Sequence, residues 1–195
     1  MILHSIGDSH AEWPWKKLSI QELEIKYYIQ PSTCGAMIFR RNEFSNIFLN
    51  IKEGDAVCFT LGEIDCRHHI EKVKANYKEM IIKIIDSYFK EIAFQISKYR
   101  DLTVIVSCIV PPRRKKYFEP TGVTWLGKDS TRKTFVLFFN DTIREYCAKY
   151  DYYCLDLYTH YIGIDGFIND AQADSFMHIM DSTYLSNELK EIFGL

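Results

Sequence analysis

Two short polar segments at opposite ends of the chain contain a possible nucleophile and a possible base. Ser9 lies in Gly-Asp-Ser-His directly after the apolar segment 2–6, and His178 lies near the C-terminus. A serine hydroxyl is a weak nucleophile until a neighbouring base accepts its proton, and a neutral imidazole can accept it near neutral pH. Asp174, four residues before His178, could accept the other imidazole proton. These residue types indicate nucleophilic catalysis by Ser9, with His178 as the base and Asp174 as the acid that orients it.

The first of these segments also permits a different chemistry. Asp8-Ser9-His10 has the Asp-x-His spacing of metal ligands in metal-dependent phosphoesterases, and Asp65-Cys66-Arg67 could provide a second motif. The sequence contains no Gly-Asn-His-Asp or Gly-Asn-His-Glu stretch that would provide the bridging ligand of such a site. A metal-dependent phosphoesterase is therefore retained as the alternative.

A third polar segment, Gly62-Glu63-Ile64-Asp65-Cys66-Arg67, follows the apolar segment 56–61. Charged side chains at the end of a buried strand need solvent, a partner or a function. A surface cluster of ion pairs would meet that need. We predict instead that Asp65 and Arg67 form a structured ion pair or hydrogen-bond network beneath the site.

The elements that must position these segments alternate between strands and helices. Apolar or β-branched segments predict strands at 2–6, 24–29, 56–61, 103–110 and 153–157. Helical periodicity predicts helices over 70–99, 131–150 and 183–193, the last two capped by Ser130 or Asp129 and by Ser182. The pattern predicts an α/β three-layer sandwich with a parallel sheet of about five strands. Ser9, Gly35, Gly62 and His178 should converge at its carboxyl edge, where such folds place their sites. Asp8, Asp65 and Arg67 are further candidates there for binding the oxyanion or the substrate.

One long loop, 111–127, follows the fourth predicted strand, so it could overhang the site. It begins with the basic run Arg113-Arg114-Lys115-Lys116 and continues with Tyr117, Phe118 and Trp125. We interpret the basic run as a solvated loop, with attraction of an anionic ligand as the alternative.

Composition limits the remaining possibilities. The chain has 195 residues, 47% of them hydrophobic, which fits a single domain over 1–195. A net charge of −2 argues against a nucleic-acid partner. The N-terminus lacks the features of a signal peptide, and no apolar run is long enough for a membrane span. The six cysteines form no CxxC pair, which favours reduced thiols and a cytoplasmic location.

Together the three polar segments resemble the motif blocks of the SGNH/GDSL hydrolase superfamily, over nearly the whole chain. The resemblance is closest to a branch with a Gly-Glu-Ile-Asp-Cys-Arg third block, near glycan-related functions. It implies Ser9 as the nucleophile, Gly35 in Thr33-Cys34-Gly35-Ala36 as a backbone donor to the oxyanion, and Gly62 as the start of the third block. It also implies that no metal or organic cofactor is needed.

The chain departs from this family at two positions. Ile64 stands where the family has an asparagine that donates to the oxyanion, so Arg67 is a candidate substitute. Three residues separate Asp174 from His178, whereas the family has two, which places Ser175 at the acid position.

The resemblance implies a serine esterase or acyltransferase that acts on a small-molecule or glycan ester. A non-catalytic glycan-binding relative is a further alternative. The sequence gives no indication of the oligomeric state.

Overall fold

The computed structural model describes residues 1–13, 15–29, 33–34, 37, 41–114, 126–174 and 177–195. Its centre is a five-stranded sheet in the order β2-β1-β3-β4-β5, in which every neighbouring pair is parallel. The strands are β1 Ile2–Gly7, β2 Glu24–Ile29, β3 Ala56–Thr60, β4 Thr103–Ser107 and β5 Tyr153–Leu155. The predicted α/β fold with a parallel sheet is confirmed.

Five helices accompany the sheet in the described ranges. They are α1 Arg41–Phe48, α2 Tyr77–Ile96, α3 Asp129–Tyr150, α4 Leu157–Tyr161 and α5 Thr183–Phe193. The sequence analysis missed the two short helices α1 and α4. No helix of the described residues is both long and apolar enough to cross a bilayer.

Alternate residues of the central strands pack against opposite layers. Val57 and Phe59 belong to one apolar cluster, which includes residues of α1, α2 and α3. Ala56 and Cys58 belong to the other, which includes residues of α4 and α5. Because side chains alternate between the two faces of a strand, an uninterrupted apolar segment is what a sheet covered on both sides requires.

β4 and β5 end well before their predicted ends because the residues that follow them bond elsewhere. The predicted fourth strand extended to Val110, but β4 ends at Ser107, and the Asn140 side chain bonds the N–H and C=O of Ile109 at 2.8 and 2.9 Å. Beyond β5, Asp156 caps α4 by accepting from the Thr159 N–H at 3.0 Å. The carboxyl ends of these strands are therefore shaped by side-chain contacts.

Helix α2 begins at Tyr77, whereas the prediction began at residue 70. Residues 65–76 form π-helical and 3-10 turns, which Val73 interrupts with φ −123° and ψ 28°. The apolar periodicity continues across both parts, so periodicity alone could not locate this change of helix type.

One of the two predicted helix caps is wrong. Lys128 occupies the N-cap of α3 without a side-chain cap bond, and Asp129 lies inside the first turn, where it pairs with Arg132. Ser182 occupies the N-cap of α5, as predicted, but its side chain makes no cap bond; Asp181 Oδ1 accepts from the Thr183 N–H at 2.9 Å instead.

Gly7 ends β1 beside β3 at a position that has no room for a side chain. A Cβ at this position would lie 2.0 Å from the Thr60 carbonyl oxygen, which belongs to the backbone and cannot move aside. We expect Gly7→Ala to lower the free energy of unfolding by about 3 kcal/mol, the upper part of the range for overpacked cores. Urea unfolding would measure the loss.

Gly54→Asn is the control for Gly7→Ala, because Gly54 has φ +80° and no atom within 4 Å of a Cβ built there. Asparagine tolerates this left-handed conformation better than most residues. Equal midpoints for the two variants would contradict the steric argument at Gly7.

Candidate active site

A short turn after β1 presents Ser9. Asp8 is buried, and its Oδ1 accepts from the His10 N–H at 2.9 Å while lying 3.0 Å from His10 Nδ1. Ser9–Ala11 form a single 3-10 turn, and Ser9 itself is exposed. The buried Asp8–His10 pair thus fixes the turn on both sides of Ser9 and leaves the serine at the surface.

A second tight turn holds His178. Asp174 Oδ2 lies 2.9 Å from His178 Nδ1, and Asp174 Oδ1 accepts from the His178 backbone N–H at 2.8 Å. Met177 adopts the left-handed conformation, with φ 65°, and the Asp174 N–H donates to the His178 carbonyl at 3.0 Å. The four-residue spacing therefore still brings the carboxylate to the imidazole. With Nδ1–H directed at Asp174, Nε2 is the nitrogen that can accept a proton.

The two turns meet at the carboxyl edge of the sheet. The rings of His10 and His178 lie edge to face with centroids 5.5 Å apart, and the Trp13 ring stacks on His178 at 5.9 Å. His10 and Trp13 both follow Ser9 in the chain, so the segment that contains the serine contacts the His178 ring at two residues. Two distant parts of the sequence, 8–13 and 174–178, are thereby in contact at this edge.

The pKa values of the two imidazoles are shifted in opposite directions. Burial is the main reason that the pKa of His178 lies below its ordinary value; charge on His10 lowers it further, and Asp174 only partly offsets both. Burial also opposes charge on His10, but the Asp8 carboxylate raises the pKa of His10 above its ordinary value overall. His178 is therefore neutral, as a base must be, under conditions in which His10 carries a proton.

This difference predicts an acid limit for any reaction that uses His178 as the base. Activity should be lost as His178 becomes protonated, and its lowered pKa places that loss below about pH 6.5, the ordinary value for histidine. A profile of kcat/KM against pH would measure the limit. A limit clearly above pH 6.5 would contradict the assignment of His178.

The third polar segment, 62–67, follows β3 at this same edge of the sheet. Gly62 has φ +120°, and a Cβ there would lie 2.8 Å from Phe139 and 2.9 Å from Ile109. Asp65 is buried, and its Oδ2 accepts from the Cys34 N–H at 2.9 Å. Only glycine fits at Gly62, and the Asp65 carboxylate holds the backbone at Cys34.

Arg67 lies in the same segment and pairs with Glu63, with Nε to Oε1 at 3.0 Å. Its side chain is only 12% exposed, as is that of Glu63. Neither Asp65 nor Arg67 therefore extends freely into solvent. Asp65 bonds to Cys34 and Arg67 pairs with Glu63, so each has a partner other than the predicted one. Ile64 is half-buried and has no polar atom to donate. Gly35 and Ser175 lie outside the described residues, so their predicted positions in the site stay predictions.

Sequence reasoning missed the role of Arg113, whose guanidinium bonds to the loop that contains His178. Its side chain is 11% exposed; Nη1 donates to the Asp174 carbonyl, and Nη2 lies 3.2 Å from Asp170 Oδ1. Arg132 in turn donates to the Arg113 carbonyl at 3.1 Å. The interpretation of this basic run as solvated is thus wrong at Arg113. Residues 115–125 of the same loop lie outside the described residues.

The alternative of a metal site finds no ligand cluster in the described part of the chain. No three side chains of histidine, cysteine, aspartate or glutamate converge there in an arrangement that could hold an ion. Asp8 and His10, the proposed ligands of that alternative, bond to each other.

Comparisons with known proteins found similar proteins only among solved structures. No protein-family model matches the sequence, and no curated protein matches it. A protein from Streptococcus pneumonia described as a platelet activating factor is 16% identical, with a TM-score of 0.68 over 98% of this chain and 82% of its own. An acylhydrolase from Bacteroides fragilis is 13% identical, with a TM-score of 0.63 over 99% of this chain and 86% of its own. A GDSL-like lipase from Bacteroides thetaiotaomicron is 12% identical, with a TM-score of 0.62 over 99% and 87%.

Proposed function

Because the chain has the fold of the SGNH/GDSL hydrolases, we propose that it is a serine ester hydrolase that removes O-acyl groups. The observation that carries the proposal is the 2.9 Å contact between Asp174 Oδ2 and His178 Nδ1, in a loop that adjoins the turn of Ser9. A solvent-exposed serine, a neutral imidazole and a carboxylate that orients the imidazole are the groups that acyl transfer through serine requires.

In the proposed reaction Ser9 Oγ attacks the ester carbonyl carbon while His178 Nε2 accepts the hydroxyl proton. The Ser9 and Gly35 backbone N–H groups stabilise the oxyanion. His178 then donates the proton to the leaving alcohol, and an acyl group remains on Ser9. Water, activated by the same imidazole, attacks the acyl carbon and releases the acid. An alcohol in place of this water would make the protein an acyltransferase.

Ile64 limits how well this site can stabilise the oxyanion. Removal of one donor from an oxyanion hole elsewhere costs about 2.7–4 kcal/mol in the barrier. Arg67 as a substitute donor has weak support, because its guanidinium is paired with Glu63. We therefore expect slow turnover on simple esters.

A carbohydrate ester is the proposed substrate class. Its support is the resemblance of the third block to proteins near glycan-related functions and the aromatic residues of loop 111–127. The proposed location is the cytoplasm, and the support for it is six cysteines without a disulfide, five of them buried. We propose neither a nucleic acid nor a membrane as partner.

The experiment that tests the proposed class compares two reactions of the purified protein. We expect hydrolysis of p-nitrophenyl acetate that resists EDTA and is blocked by a fluorophosphonate. Metal-dependent cleavage of bis-p-nitrophenyl phosphate, insensitive to the fluorophosphonate, would support the phosphoesterase alternative instead. Glycan binding without turnover, unchanged by Ser9→Ala, would support the non-catalytic alternative.

A further inference from the structure

Trp13 connects the turn of the proposed nucleophile to the proposed base. Its backbone N–H donates to the Ser9 carbonyl at 3.2 Å. Its indole ring stacks on the His178 imidazole, with centroids 5.9 Å apart and planes 20° from parallel. The Asp174 carboxylate contacts the same imidazole at a different point, Nδ1, so the indole is a second and separate constraint on this ring.

The segment that contains Trp13 is itself anchored on the protein. Trp15 is buried, and its Nε1–H donates to the His10 carbonyl at 3.2 Å. The Lys16 N–H donates to the Glu12 carbonyl at 2.9 Å. The Lys16 ammonium lies 2.7 Å from Glu12 Oε1 and 5.2 Å from the centroid of the Trp13 ring. These contacts before and after residue 13 hold the backbone from which the indole extends.

The orientation of the imidazole matters because proton transfer requires Nε2 to lie within hydrogen-bond reach of the serine hydroxyl. The bond from Nδ1 to Asp174 holds one atom of the ring but allows the plane of the ring to tilt. A flat indole packed nearly parallel to the imidazole restricts that tilt, and the His10 ring packs against it edge to face. The direction of Nε2 therefore depends on Trp13 as well as on the acid.

The reaction also requires the imidazole to become charged, because His178 is an imidazolium once it has accepted the serine proton. Burial and charge on His10 both oppose that charge and lower the pKa of His178, and Asp174 offsets them only in part. The face of an indole attracts a cation within about 6 Å of the ring centroid, and tryptophan does so best among the aromatic residues. The 5.9 Å stack lies within that range.

We propose that Trp13 is a positioning residue for the base: its indole orients the His178 imidazole toward Ser9 and stabilises the imidazolium that forms when the serine proton is transferred. This inference rests on the proposed ester hydrolysis. A tryptophan beside the serine of a carbohydrate esterase could instead be a platform on which a sugar ring stacks. The contact with His178 favours the positioning role, because one face of the indole is already covered.

Trp13→Leu removes the aromatic face and keeps an apolar side chain beside the imidazole. We expect kcat on p-nitrophenyl acetate to fall by about 5–30-fold, the factor for a partly desolvated cation–π contact, with KM unchanged. Trp13→Phe, which keeps a smaller aromatic face, should lose less. Tyr153→Leu is the matched control, because it removes an exposed ring from the edge strand β5, and it should lose nothing. A kcat equal to that of Tyr153→Leu, or a loss confined to KM, would overturn the proposal.

The titration of His178 tests the electrostatic part without any substrate. The titratable groups around the two stacked rings are unchanged in Trp13→Leu; they are Asp174, Asp8, His10 and Lys16. Loss of the indole should therefore lower the pKa of His178 by about one unit, and the acid limit of kcat/KM should move to lower pH with it. NMR of the histidine ring protons, assigned with His178→Ala, would measure the pKa. An unchanged or higher pKa would overturn the proposal.

The two measurements together separate this inference from the proposed reaction. Control-level kcat and an unchanged His178 pKa in Trp13→Leu, in a protein that still cleaves esters, would overturn the role of Trp13 and leave the hydrolase intact. A lowered His178 pKa in Trp13→Leu, when the unmodified protein cleaves no ester and resists the fluorophosphonate, would instead refute the proposed hydrolase.

Discussion

Ser9→Ala should abolish labelling by a fluorophosphonate and reduce ester cleavage by about 10⁶-fold, as in serine hydrolases whose nucleophile is removed. The physical reason is that no other group of the turn can form the covalent bond to the acyl carbon. His178→Ala should reduce ester cleavage by a similar factor, because nucleophile and base act as a unit. Mass spectrometry of the labelled protein and the rate of p-nitrophenyl acetate hydrolysis would measure both effects.

Two surface variants serve as controls for these substitutions. Ser97→Ala lies at the exposed end of α2, and His160→Ala removes an exposed imidazole that belongs to neither turn. Both should be labelled and should turn over substrate at the rate of the unmodified protein. Undiminished labelling of Ser9→Ala, or activity that requires added metal, would refute Ser9 as the nucleophile.

Asp174→Asn should reduce kcat by about 10²–10⁴-fold without unfolding the protein. An asparagine amide can donate to Nδ1, which leaves the proton on Nε2, the nitrogen that must accept the serine proton. The corresponding change in a serine protease triad costs about 10⁴-fold. The steady-state rate on p-nitrophenyl acetate would measure the loss, and Asp141→Asn, on the exposed side of α3, is the matched control.

The same variant also tests which position orients the imidazole of His178. The family spacing places the acid at Ser175, whereas the contact at 2.9 Å assigns it to Asp174. Activity of Asp174→Asn equal to that of Asp141→Asn would show that Asp174 does not orient the base during the reaction.

The sheet could be predicted from the sequence because its three central strands are buried on both faces. In a chain of this composition, an uninterrupted apolar segment such as 56–61 is seldom anything other than a buried strand. The observed β3 ends one residue before the end of that segment. The edge strand β2 was also predicted correctly, although its residues are mostly half-exposed or exposed. The strand ends were less accurate because side chains from elsewhere, such as Asn140, determine them.

Candidate site residues could be named where residue type alone indicates a chemistry, as at Ser9, Asp174 and His178, whose catalytic roles stay predictions. They were not predictable where the role depends on a partner that only the fold brings close. Arg113 belongs to a basic run that looks solvated, yet it bonds the Asp174 carbonyl. His10 was considered only as a metal ligand, and its contact with the His178 ring depends on the meeting of two distant turns. No local sequence pattern can predict a contact between two residues that are about 170 positions apart in the chain.

Met177 changes how relatives of this protein should be sought. Its left-handed backbone, with φ 65°, lets three residues stand between a carboxylate and an imidazole that still touch. A search pattern with a fixed gap of two residues would reject this chain at its last block, and an alignment would place Ser175 opposite the acid. Patterns for such hydrolases should therefore allow a gap of variable length here and require only that an aspartate can reach the histidine across the turn.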